Sequence, residues 1–142
     1  MISSPNEISL SQLDALLAFL PIFERPGYSF GEWQTQPGVF PYWSASPETS
    51  AFIHALHREG FITPFDWGAW PEEARRYTEG GATALATADL TTLRKLMTSY
   101  VRADRFTTGT LASLFQSGQI TAVLRRLRQI RDAMGAQDQE GQ

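Results

Sequence analysis

The strongest constraint on this chain is the apolar stripe in "DLTTLRKLMTSYV", where Leu90, Leu93, Leu96, Met97, Tyr100 and Val101 recur three and four residues apart. That period puts them on one face of an α-helix and does not fit the two-residue alternation of a strand. It returns as Ile120, Val123, Leu124, Leu127, Ile130 and Met134, and near the start as Leu10, Leu13, Leu16, Leu17 and Leu20. A helix that is apolar along one stripe must bury it against another element. Three such stripes therefore predict a mostly α, single compact helical domain of five to six helices over residues 1–134, with 135–142 as a flexible tail after Gly135.

Local signals set the boundaries. Ser9 with Gln12 reads as a capping box, and Pro21 ends or kinks the first helix. Pro26-Gly27 and Pro37-Gly38 are turn signals around "YSFGEW" and "VFPYW", which predicts a small β-hairpin in the N-terminal third. Pro41 lacks a ladder donor, so its strand belongs at an edge. Ser46-Pro47 opens a helix with Phe52, Ile53 and Leu56 inward, and Gly60 is placed to stop it in a left-handed conformation. Trp67, Trp70, Ala74 and Tyr77 share one helical face. This predicts a tight turn at 66–70, then a helix from Pro71 to Thr78 that Gly80-Gly81 ends. Thr87 or Asp89 caps the helix of the opening stripe, and "RADRFTTG" is expected to break it. A short helix then carries Leu111, Leu114 and Phe115 inward and stops at Gly118.

Several chemistries are excluded or disfavoured. The chain has no cysteine, so it forms no disulfide, thiolate nucleophile or Cys-ligated metal site. No P-loop, GxGxxG or GxSxG occurs. His54 and His57 lie one turn apart, but no third ligand stands at a recognisable spacing. No cofactor or metal is expected, no residue is assigned as catalytic, and the balance leans away from an enzyme. The start "MISSPNEISL" lacks the basic and apolar regions of a signal peptide, and the apolar run "ALLAFLPIF" is too short to span a bilayer. A soluble, cytoplasmic protein that does not bind membranes is the expectation.

Two regions are candidates for function. The first is the aromatic segment "GFITPFDWGAW", in a chain with nine Phe, four Trp and four Tyr. Its bland reading is core. Its functional reading is a platform in which Trp33, Tyr42 and Trp43 join Trp67 and Trp70, with Asp66 as polar anchor. The second is "VRADRF": on a helix that continues past Val101, Asp104 falls on the apolar side and needs a partner, with Arg102, Arg105 and Asp66 as candidates. Joined, Asp66, Trp67, Trp70, Arg102, Asp104 and Arg105 form the preferred binding surface for a protein or small-molecule partner. A homodimer would cover an open aromatic face. One alternative is charge. Residues 94–131 hold eight basic side chains against one acid, while residues 1–93 hold four against eleven. Arg125, Arg126, Arg128 and Arg131 would then bind nucleic acid or another polyanion. The helix–Gly–helix "TLASLFQSGQITAVLRRLRQIR" only superficially resembles a helix-turn-helix, since Gln119, Thr121 and Ala122, not arginines, occupy the usual base-reading end. Nucleic acid is accordingly the disfavoured partner. A further alternative is an enzyme using Asp66 or Asp104 as general base.

The chain resembles a family of small bacterial proteins catalogued as a domain of unknown function. The resemblance spans about residues 13–130. It is carried by Gly60, Phe61, Ile62, Phe65, Asp66, Trp67 and Trp70, then by Arg102, Asp104, Arg105, Phe106, Gly109, Leu111, Gly118, Ile120, Leu124 and Leu127. It implies a self-contained bacterial domain and carries no activity, cofactor or catalytic residue.

Overall fold

Each apolar stripe forms a helix, and the stripes meet in one core. The structure is a computed structural model that describes residues 8–62, 70–107 and 109–140. Its elements are α1 (Leu10–Leu17), α2 (Leu20–Phe23), β1 (Gly31–Gln36), β2 (Val39–Ala45), α3 (Pro47–Arg58), α4 (Pro71–Leu85), α5 (Leu90–Phe106), α6 (Thr110–Gln116) and α7 (Gln119–Glu140). Among the described residues the architecture is mostly α with a two-stranded antiparallel hairpin, as the stripes and turns predict. No helix among them is long and apolar enough to cross a membrane.

The caps follow local chemistry. The Ser9 hydroxyl accepts the Gln12 N–H, and the Gln12 side chain accepts the Ser9 N–H. The first helix is interrupted just ahead of Pro21, as expected. α1 stops at Leu17, and Pro21 sits in the first turn of the single-turn α2, where its missing N–H costs nothing. Ser46 caps α3, and Asp89, rather than Thr87, caps α5 through the Thr92 N–H. At the end of α3, Gly60 has φ 70°, with Phe61 N–H bonding Leu56 O and Gly60 N–H bonding His57 O. That pair of bonds is a Schellman stop. Two distant side chains reinforce it: Gln12 Nε2 donates to Glu59 O, and Arg94 donates to Gly60 O and Phe61 O.

α7 lies at the centre, packed against α1, α2, α4, α5 and α6. Its Ile120, Val123, Leu124 and Leu127 are buried with Leu93, Leu96 and Met97 of α5 and Leu13 and Leu16 of α1. A chain of aromatic rings joins this core to the hairpin. Phe23 contacts Phe52, Phe30 and Phe115, and Trp43 of β2 stacks on Phe115 with centroids 6.1 Å apart. Trp33 pairs across the strands with Trp43. The Trp33 ring lies so close over Gly109 that a Cβ there would sit 3.1 Å from it.

Two helix ends differ from expectation, and a third falls late in the segment expected to hold it. α4 does not finish at Thr78. Gly81 breaks it at φ 57°, yet a further helical turn runs on to Leu85. "RADRFTTG" breaks α5 as expected, but only at its end: the helix persists through "RADRF", which lacks Gly and Pro, to Phe106 and is capped by Thr107 ahead of Gly109. Gly135 does not stop α7, which continues to Glu140. One mid-helix glycine costs only about 1 kcal/mol.

Candidate functional site

Because α5 keeps its helix through residue 106, its outer face meets α4 and α6 and leaves an apolar groove of about 570 Å³. Trp70, the N-cap of α4, lines it with Pro71, Ala74, Arg75, Thr78 and Glu79 of α4, Ser99, Tyr100 and Ala103 of α5, and Thr110 of α6. Trp70 and Ala74 come from the helical face read in the sequence. The last member of that face, Tyr77, is buried behind them with its ring stacked on Trp70, centroids 6.5 Å apart, and Arg76 over it.

A directed chain of hydrogen bonds runs beneath this groove. Thr78 Oγ1 donates its one proton to Ala74 O at 2.7 Å, so the 2.6 Å contact between Thr78 and Tyr100 is a donation from the Tyr100 hydroxyl. Gln119 Nε2 then donates both to Tyr100 Oη and to Tyr77 O. Burial pushes the Tyr100 hydroxyl above the ordinary phenol value, which keeps it neutral. The remaining hydroxyl of the wall behaves differently. Ser99 is 9% exposed, and its Oγ is closed to solvent with no partner among the described residues.

The sequence-derived set is only partly brought together. Asp66 and Trp67 lie outside the described residues, as do all but the last residue of the turn expected over 66–70. Trp70 lines the groove. Asp104 is half-buried, and its partner is not an arginine: Oδ1 accepts the Leu111 N–H at 3.0 Å. The α6 N-cap is Gly109, which has no capping side chain, so Asp104 supplies that acceptor from the preceding helix. Arg102 is half-buried and Arg105 exposed, and among the described residues neither has an ion-pair partner or lines the groove. None of the hairpin aromatics lines the groove beside Trp70. Trp43 is packed on the core, while Trp33, Phe40 and Tyr42 are exposed, Phe40 to 93%.

Most of the basic cluster on α7 is engaged within the fold. Arg125 pairs with Glu24 at 2.8 Å, Arg131 makes two bonds to Asp14, and Arg126 donates to Ala88 O. Arg128 is exposed and unpaired among the described residues. The charge asymmetry thus ties α7 to α1 and α2. Gln119 and Thr121 are buried, so neither can reach a base edge. His54 and His57 are both exposed, and no three potential metal-ligating side chains cluster among the described residues.

Sequence reasoning missed Ser99, the bonds of Gln119 to Tyr77 and Tyr100, and the groove itself. Ser99 stood one residue before Tyr100 of the stripe, and its only signal was a small polar residue on the flank of an apolar face.

The chain belongs to DUF6508, a family of unknown function, whose family model matches residues 8–133. No curated protein and no solved structure matches it.

Proposed function

We propose that this DUF6508 protein is a small, non-enzymatic binding protein that holds a mainly apolar small molecule in the α4–α5–α6 groove. The observation that carries the reading is the groove. Its volume of about 570 Å³ is that of a small-molecule site, and its wall combines Trp70, Ala74 and Ala103 with a few polar groups. Trp70, from the sequence-derived set, is the residue we assign to ligand contact. Asp104 is assigned to holding α6, since its observed bond is a helix cap. A bacterial, cytoplasmic setting is part of the proposal, supported by the cysteine-free composition and the sequence resemblance.

The neutral dye N-phenyl-1-naphthylamine tests the reading, since it fluoresces only in apolar surroundings. The wild-type protein should bind it one to one. Ala74→Trp, which fills the groove, should weaken binding at least about tenfold, a loss of about 1.4 kcal/mol. Ala103→Leu serves as a second filling variant, and Phe40→Ala should leave the titration unchanged. No enhancement, or binding that survives both filled variants, would sink the proposal.

A homodimer is a second reading, favoured by the exposed Trp33, Val39, Phe40 and Tyr42 of the hairpin. Sedimentation equilibrium decides it: a monomer mass at every concentration removes it, and a dimer dispersed by Phe40→Glu supports it.

A further inference from the structure

We propose that the ligand's buried end is uncharged and carries a hydrogen-bond acceptor, a ketone, ester or amide carbonyl, which takes the proton of the Ser99 hydroxyl. The inference rests on the groove as binding site and adds the chemistry of what it takes.

Four hydroxyls belong to residues that line the groove, and three have spent their protons. Thr78 donates to Ala74 O, Tyr100 to Thr78, and Thr110 to Thr107 O. Ser99 donates to nothing among the described residues. Its neighbour Thr98 shows the usual solution on the same helix, bonding back to Arg94 O at 2.8 Å. Ser99 has the Lys95 carbonyl one turn back and makes no such bond. A buried hydroxyl without a partner is destabilising, and a partner brought by a ligand removes that penalty only when the ligand is bound. In the observed rotamer Oγ is closed off from the groove as well as from solvent, so Ser99 turns about χ1 to another staggered rotamer as the ligand seats, which presents the proton to the acceptor.

Charge sets the rest of the class. The ionisable side chains of the wall are Arg75 and Glu79, both exposed and so at the mouth, and the neutral Tyr100. An ionised group at the deep end would lose its hydration and meet no counter-charge. A neutral carbonyl meets the one donor available.

Acetophenone and α-methylstyrene share a shape and differ in carrying C=O or C=CH2, and benzoate adds a charge. The full-length, 15N-labelled protein is titrated with each while the amides of Trp70, Ala74 and Ala103 are followed. Acetophenone should bind about five- to tenfold more tightly than α-methylstyrene, as one recovered hydrogen bond predicts. Benzoate should bind more weakly than acetophenone, and the preference for acetophenone should vanish in Ser99→Ala. The unliganded Ser99→Ala protein should melt no lower than wild type, because it loses an unpaired polar group. Equal affinity for the two neutral probes overturns the acceptor chemistry and leaves the groove standing. A preference that survives Ser99→Ala overturns the assignment to Ser99. If neither neutral probe moves these amides, the groove reading falls and this inference with it.

Discussion

Replacing Phe115 by alanine tests whether the hairpin is held by the helical core. The Phe115 ring is 1% exposed, and the rings of Phe30, Phe23, Trp43 and Phe52 surround it with centroids at 5.5, 5.8, 6.1 and 6.2 Å. Deleting a buried phenyl ring costs about 3–5 kcal/mol. Each well-placed aromatic pair contributes about 0.5–1.5 kcal/mol beyond area burial, which puts Phe115→Ala in the upper half of that range, about 4–5 kcal/mol. At roughly 3 °C per kcal/mol for a domain of this size, the melting temperature should fall by about 12–15 °C. Phe30 and Trp43 are the hairpin's contacts with this ring, so the near-ultraviolet signal of the tryptophans should weaken even where the variant stays folded. Phe40 is the control, because the same ring is deleted from a site that is 93% exposed. Phe40→Ala should change stability by no more than about 0.5 kcal/mol. Urea denaturation followed by far-ultraviolet circular dichroism gives both values. A loss below about 2 kcal/mol for Phe115→Ala, or equal losses for the two variants, would refute the reasoning.

Three further predictions concern local devices. The Asp89 carboxylate is held below its ordinary value by its hydrogen bonds with Thr92, so its contribution is present above the ordinary carboxylate pKa and is lost as pH falls through the lowered one. Asp89→Ala should cost about 1 kcal/mol at neutral pH and Asp89→Asn much less, with acid denaturation of the Asn variant less dependent on pH in that window. Asp104→Asn keeps the acceptor for the Leu111 N–H and should be nearly neutral, whereas Asp104→Ala should cost about 1 kcal/mol by the same urea assay. Equal losses would show that the charge, not the cap, matters. Gly60→Ala meets no atom within 4 Å, so its cost of about 1–2 kcal/mol is that of forcing alanine to φ 70°; a neutral result would mean the α3 stop rearranges freely.

What was legible in the sequence lies within about one helical turn of itself. Ser9 with Gln12, Ser46 before Pro47, and Gly60 before Phe61 are local caps, and the stripes of α5 and α7 identify their own buried faces. The misread ends share one cause. Gly81 and Gly135 are weak stop signals, and what the neighbouring turns pack against decides whether a weak signal wins. The long-range hydrogen bonds of Gln12, Arg94 and Gln119 have no local signature at all. The groove was half legible. Trp70 and Ala74 stood on one face, but whether a neighbour covers an apolar face is a property of helix packing, and an unpartnered serine looks in sequence like any other.

The central claim is that the α4–α5–α6 groove is the binding site, and mapping a bound neutral probe onto the backbone tests it most directly. In a 15N–1H titration with N-phenyl-1-naphthylamine, the largest shifts should fall on Trp70, Ala74, Thr78, Ser99 and Ala103 and saturate with a single site. Shifts centred instead on Trp33, Phe40 and Tyr42 of the hairpin, or spread over the surface without saturation, would contradict it.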